Sequence, residues 1–175
     1  MRSHGTGGTG ECEVSMTNEV RLNIFADYSQ FYLEDGHYVH SDLPRLWNEQ
    51  SSADMIAAAP GVVAVGTARN FDVPVTVRIL DSEPEEDSDR WDHVAEASLA
   101  LPSGELLISG PADWPDAERL VIEPSDYRVR VYYARLENVA ANGIDGDDFY
   151  EVVLWLGAEE PPRVLKRSEW SIKRL

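Results

Sequence analysis

The sequence predicts an all-β protein, mainly an antiparallel β-sandwich, with one short helix near residues 48–59. Three observations carry that expectation. Short apolar runs alternate with the two-residue period of half-buried strands, turn residues separate them at regular spacing, and one stretch alone has helical spacing between a cap and a stop. At 175 residues and 43% hydrophobic content the chain can bury a single core. Five Trp, seven Tyr and four Phe, spread from Phe25 to Trp170, argue against disorder despite the charge. Residues 1–15, rich in Gly, Ser and Thr and ending before Met16, are expected to be a flexible lead-in or a cloning remnant. Residues 16–175 then form one sandwich domain.

Val20, Leu22, Ile24 and Ala26 alternate with Arg21, Asn23 and Phe25, which predicts a strand with one buried face. A second short strand follows over residues 28–33 and stops at Glu34-Asp35-Gly36. Asn48 or Ser51 and Ser52 can cap a helix in which Met55, Ile56 and Ala59 recur at helical spacing before Pro60-Gly61 ends it. Residues 61–68 and 73–80 are β-branched runs, and Pro74 places the second at an edge or makes it a strand's beginning. Residues 91–101 and 105–109 flank Pro102-Ser103-Gly104 as a hairpin does, and residues 120–123 and 127–136 flank Pro124-Ser125-Asp126 in the same way. Tyr127, Val129, Val131 and Tyr133 should face the core, with Arg128, Arg130 and Tyr132 on the other side. Residues 149–156 are apolar on both faces apart from Glu151, the pattern of a central strand covered on both sides. The basic segment 163–175 suits either an edge strand built on Val164, Leu165, Trp170 and Ile172 or a free tail.

The formal net charge of −17 is concentrated. Residues 81–92 hold seven acids against Arg90, residues 113–126 five against Arg119, and residues 137–151 five with no base. Charge gathered in a few loops produces a local potential that steers toward a cation or a basic protein surface and repels nucleic acid. The expected partner is therefore a basic protein, with no nucleic acid and no membrane. The candidate partner-binding carboxylates are Glu83, Glu85, Glu86, Asp87 and Asp89, then Asp145, Asp147 and Asp148. The alternative is a calcium-dependent β-sandwich module in which Asp145, Asp147 and Asp148 supply oxygen ligands, although their spacing is not that of an EF-hand and a solvated turn explains the cluster more simply.

Other constellations carry less. His93 follows Asp92, but neighbours in a strand point to opposite faces, so Asp92 is poorly placed to orient the imidazole. His37 and His40 lack a second spaced pair for zinc, and His4 and Cys12 lie in the lead-in. No nucleophile elbow or phosphate-cradling loop is present, so no enzyme activity and no cofactor are expected. Arg69-Asn70 closes a turn where an internal Arg–Asp pair is favoured over a bound carboxylate, and thirteen Arg against two Lys suit such planar pairing. The five Trp are assigned to core packing and loop anchoring rather than to a sugar platform. A single Cys and the lack of a spanning or signal-like apolar run predict a cytoplasmic location.

Ile24-Phe25-Ala26-Asp27-Tyr28-Ser29-Gln30-Phe31 resembles the Tyr-x-Gln-Phe stretch near the start of the competence protein J family. Shorter similarities lie at Trp47 before the helix, the strand after Pro60-Gly61, the Ala68-Arg69-Asn70 turn and Tyr127-Arg128-Val129, spanning roughly residues 20–156 in order. The resemblance implies a small β-rich protein related to an inhibitor of a DNA-entry nuclease, hence an inhibitor or immunity-like role. The long acidic run 81–92 and the basic C-terminal extension depart from the family pattern.

Overall fold

A computed structural model describes residues 18–37, 43–113 and 116–170. The expectations for the lead-in, His4, Cys12, His40, Trp114 and Ile172 fall outside these residues. The strands are β1 (Asn18–Phe25), β2 (Gln30–Asp35), β3 (Ile56–Ala59), β4 (Val62–Gly66), β5 (Asp72–Ile79) and β6 (His93–Leu101). They continue with β7 (Glu105–Ser109), β8 (Glu118–Val121), β9 (Ser125–Ala134), β10 (Phe149–Leu156) and β11 (Arg163–Lys166). Two sheets stack, six strands in the order β1-β5-β10-β9-β6-β11 and five in the order β3-β4-β2-β7-β8. All the described pairings within the two sheets are antiparallel except that of β10 with β5. The architecture is the predicted all-β sandwich with one short helix.

The core lies between the sheets. Tyr127, Val129, Val131 and Tyr133 face it from β9, and Tyr150, Val152 and Leu154 from β10. Val153 and Trp155 of β10 pack on the opposite side with Trp91, Val94 and Tyr132, so this interior strand is buried on both faces, as its two-sided apolar pattern indicated. β11 pairs with β6, making the basic C-terminal segment an edge strand over Arg163–Lys166.

Three local expectations are corrected. The helix α1 covers only Glu49–Asp54: Asn48 and Ser51 form a capping box, and Met55 closes the helix in the left-handed region at φ 58. Ile56–Ala59, expected to continue it, pairs instead with β4 through the tight Pro60-Gly61 turn. The predicted hairpins around residues 102–104 and 124–126 are crossings between sheets, since β6 and β9 belong to the six-stranded sheet and β7 and β8 to the other. Gly104 at φ 70 accepts from Ile122 N and donates to Leu101 O, while Tyr127 Oη donates to Glu123 O at 2.6 Å, so the two crossings brace each other. Pro74 sits near the start of β5, but β5 lies inside the sheet between β1 and β10.

Candidate partner-binding surface

Residues 80–92 connect β5 to β6, which run in the same direction on either side of β10 and β9. Parallel strands cannot be joined by a tight turn, and a crossover must pass over one face of the sheet. The acidic run is that crossover, laid across the outer face of the six-stranded sheet. Beneath it, Arg128 and Arg130 of β9 project outward and share one carboxylate, Glu96 of β6, itself 1% exposed. Arg130 Nε donates to Glu96 Oε1 at 2.7 Å, Arg128 Nη2 to Oε2 at 3.1 Å, and Arg163 Nε from β11 to Oε2 at 2.9 Å. Burial pushes the Glu96 carboxyl up, but the hydrogen bonds from Arg130, Arg163 and Arg128 outweigh it and hold the group below its ordinary value.

The same arginine fastens the strap. Arg130 Nη1 donates to Pro84 O at 3.2 Å and its Nη2 lies 3.4 Å from Glu83 Oε1, while its guanidinium stands 5.2 Å from the Trp155 ring. Lys166 Nζ donates to Ser88 O at 3.0 Å, and Trp91 packs against Tyr132 at a centroid separation of 5.1 Å. Backbone and ring contacts therefore hold the strap down, and Glu85, Glu86, Asp87 and Asp89 stay exposed. Glu83 is exposed too but already paired with Arg130. The alternation in β9 placed Arg128, Arg130 and Tyr132 outward; what lies over them was not readable, although Glu96 inside an apolar strand was the available signal.

The second cluster divides differently. Asp145 accepts from Asn142 Nδ2, Asp147 pairs with Arg135, and both stay exposed. Asp148 is fully buried, with its carboxylate taken by Arg69 Nε and Tyr150 Oη, while Tyr150 Oη also accepts from Ala68 N at 2.7 Å. Asp148 is thus not presented to a partner: it is the internal acid of the pair expected at Arg69. The three carboxylates have three separate sets of partners. Among the described residues no group of three or more His, Cys, Asp or Glu is arranged to hold a metal ion.

The three acidic segments do not form one cluster. Residues 81–92 cross the outer face and reach the end of the sandwich where β9 leaves and β10 begins, with Leu136 N donating to Asp92 Oδ2 at 2.9 Å. Residues 137–148 close that end, and the third segment starts there at Asp113 and runs along edge strand β8 to the opposite end. His93 is buried, yet it meets main-chain atoms: Nε2 lies 2.8 Å from Asp54 O and Nδ1 accepts from Ser168 N at 3.2 Å. Burial, reinforced by the Arg167 charge, lowers its pKa and keeps it neutral, a staple between α1 and the C-terminal segment. His37 is exposed beside the Asp35 turn. Two further buried acids escaped the sequence, because β2 runs through Glu34 and Asp35 instead of stopping before them. Asp35 accepts from Ser103 N and Oγ, and Glu34 is 1% exposed on the outer side of the five-stranded sheet, where burial raises its carboxyl to about 7.

The fold is a two-sheet β-sandwich with an acidic crossover on one outer face. No family model matches the sequence, and no curated protein matches it. The fold is similar to the crystal structure of ComJ, inhibitor of the DNA degrading activity of NucA, from Bacillus subtilis. That match has a TM-score of 0.58 at 15% identity over 80% of this chain and 96% of that one. It is also similar to the structure titled crocagin biosynthetic gene J, with a TM-score of 0.53 at 15% identity over 81% of this chain and 97% of that one. The chain has a ComJ-like fold. Among the described residues no helix is long and apolar enough to cross a membrane.

Proposed function

We propose that this chain is a cytoplasmic inhibitor that binds and neutralises a basic protein, a nuclease or a toxin, rather than an enzyme. The observation that carries the reading is the strap: Glu85, Glu86, Asp87 and Asp89 are exposed on a segment whose backbone is tied to Arg130 and Lys166. Carboxylates held at fixed spacing mimic the phosphates that fill a nuclease's cationic groove, and such contacts accelerate association in a salt-dependent way. The ComJ-like fold supports the inhibitor part, because ComJ is described as an inhibitor of NucA. Asp145 and Asp147 add negative charge at one end of the sandwich.

The test is a pull-down at low and at raised salt with the wild-type chain and a variant carrying Glu85→Gln, Glu86→Gln, Asp87→Asn and Asp89→Asn. The wild type should recover a basic protein at low salt, lose it at raised salt, and block its nuclease or toxic activity. The variant should recover far less. Recovery of no basic protein by the wild type, or equal recovery by the variant, would overturn the reading.

A further inference from the structure

Deepening the inhibitor reading and resting on it, we infer that the end of the sandwich bearing Tyr28, Phe71 and Ile144 is the surface that anchors the partner, a basic protein presenting an apolar patch among its cations. The strap lacks what tight binding needs. Interface energy concentrates in a few aromatic and large apolar anchors, whereas exposed charges mainly change the rate of encounter. No large apolar residue of the strap between 81 and 90 is exposed. Among the described residues the exposed large hydrophobics are Tyr28 at 76%, Phe71 at 45%, Ile144 at 45%, Val121 and Leu156. The first three gather on loops at one end; Val121 and Leu156 lie at the other.

Those loops form one surface. Ala26 N donates to Phe71 O at 3.0 Å, Thr67 N to Ser29 O at 2.9 Å, and Asn70 N to Gly143 O at 2.7 Å. The Arg69–Asp148 pair locks the residue 137–148 loop against the turn that carries Phe71. Gly110 packs so closely that a Cβ there would stand 1.9 Å from Phe25 O, which brings the loop of Asp113 in beside them. Tyr28 and Ser29 are held in succession at φ 56 and φ 57, a region that residues with a Cβ rarely enter. An exposed tyrosine kept in that conformation by its surroundings is the kind of outlier that marks a working surface. Beside it opens a cavity of about 250 Å³ lined by Gln30, Trp47, Met55, Thr67 and Trp170, with room for a side chain of the partner.

Charge selects the occupant. Each anchor is next in sequence to an acid, Asp27 beside Tyr28, Asp72 beside Phe71 and Asp145 beside Ile144, with Asp113 on the adjoining loop and Asp147 already paired with Arg135. A second copy of this chain, at −17, would bring like charges together, whereas a basic surface meets complementary ones. The strap then sets how fast the partner arrives, and the loop end sets how long it stays.

Two cationic peptides of equal length and charge, one alternating Lys with Leu and one alternating Lys with Ser, are titrated at low salt into isotope-labelled chain and followed by amide chemical shifts. The Lys-Leu peptide should shift residues 26–29, 69–72 and 143–147, the Lys-Ser peptide mainly residues 81–92. The triple variant Tyr28→Ser, Phe71→Ser, Ile144→Ser should weaken the Lys-Leu peptide at least about tenfold and leave the Lys-Ser peptide unchanged. Tyr28→Ser alone, at the most exposed of the three positions, should produce part of that loss with the spectrum otherwise intact. The inference fails if both peptides shift only the strap, if the triple variant binds the Lys-Leu peptide as well as wild type does, or if the free chain dimerises through this end. Binding of neither peptide anywhere would instead sink the inhibitor reading on which it rests.

Discussion

Glu96 and Glu34 occupy equivalent places, each 1% exposed on the outward side of one sheet, and they titrate in opposite directions. Glu96 lies among Arg128, Arg130 and Arg163, whose hydrogen bonds overcome its burial and lower its pKa. Glu34 faces Val62 and Leu107 across its strand neighbours, near the apolar cluster of Tyr32, Ala57, Val62 and Ala64, and burial raises it to about 7. Equal burial therefore does not fix the direction of the shift; at Glu96 three guanidinium groups reverse it. The contrast also explains where the acidic crossover lies. The three guanidinium groups gathered on Glu96 carry more charge than that carboxylate neutralises, and the acidic segment lies over them, with Glu83 and the main-chain carbonyls of residues 84 and 85 reaching Arg130. The apolar face instead packs Leu46 and Trp47.

The comparison breaks most visibly at Glu96. Glu96→Ala leaves Arg128 and Arg130 buried without their shared counter-charge, and a loss of about 3–5 kcal/mol is expected in urea unfolding, with faster proteolysis within the strap. A loss below about 1 kcal/mol would mean that the strap alone can neutralise the arginines.

Glu34 sharpens the comparison through pH. Its carboxyl is raised from 4.5 to about 7, so the folded chain keeps a proton that the unfolded chain releases. That contribution is fully present below about pH 4.5 and lost as pH rises through about 7, with a slope of up to about 1.4 kcal/mol per pH unit. Glu96 works the other way: its contribution is present above the ordinary carboxylate value and is lost as pH falls through its lowered pKa. Unfolding midpoints across this range should show Glu34→Gln flattening the decline between about 4.5 and 7, and an unchanged decline would remove Glu34 as its source. The smallest effect belongs to Arg163, whose side chain is 54% exposed. Arg163→Ala should cost about 0.2–1 kcal/mol, because solvent screens this third partner of Glu96 while Arg128 and Arg130 remain.

Much of the fold was legible because alternation is a strong local signal. It placed the two faces of β9 and the double burial of β10, and the turn at Arg69 indicated an internal Arg–Asp pair without saying which acid closes it. Residues 102–104 and 124–126 misled because a turn between two apolar strands looks alike whether the strands pair or cross to the facing sheet; only long-range pairing tells them apart. The helix was drawn too long because Ile56 and Ala59 fit both periods, and the left-handed Met55 leaves no mark in composition. Of the candidate carboxylates, Glu85, Glu86, Asp87 and Asp89 were chosen on charge density alone, and they lie exposed on the crossover. Asp148 was misplaced because its partners, Arg69 and Tyr150, are assembled by the sheet pairing. The exposure of Phe71 and Ile144 was not readable, since an apolar residue in a loop carries no sign of which way it faces, and Tyr28, expected to begin the second strand, precedes β2 and is exposed.

The central claim, that the strap's exposed acids deliver a basic partner to this protein, is tested most directly by association kinetics. The rate for the captured partner is measured by stopped flow at rising ionic strength for wild type and for the variant Glu85→Gln, Glu86→Gln, Asp87→Asn, Asp89→Asn. The wild-type rate should fall steeply with salt, and the variant should start at least about tenfold slower at low salt and depend on salt much less. Equal rates with the same salt dependence would contradict the claim and leave the strap as a solvated crossover.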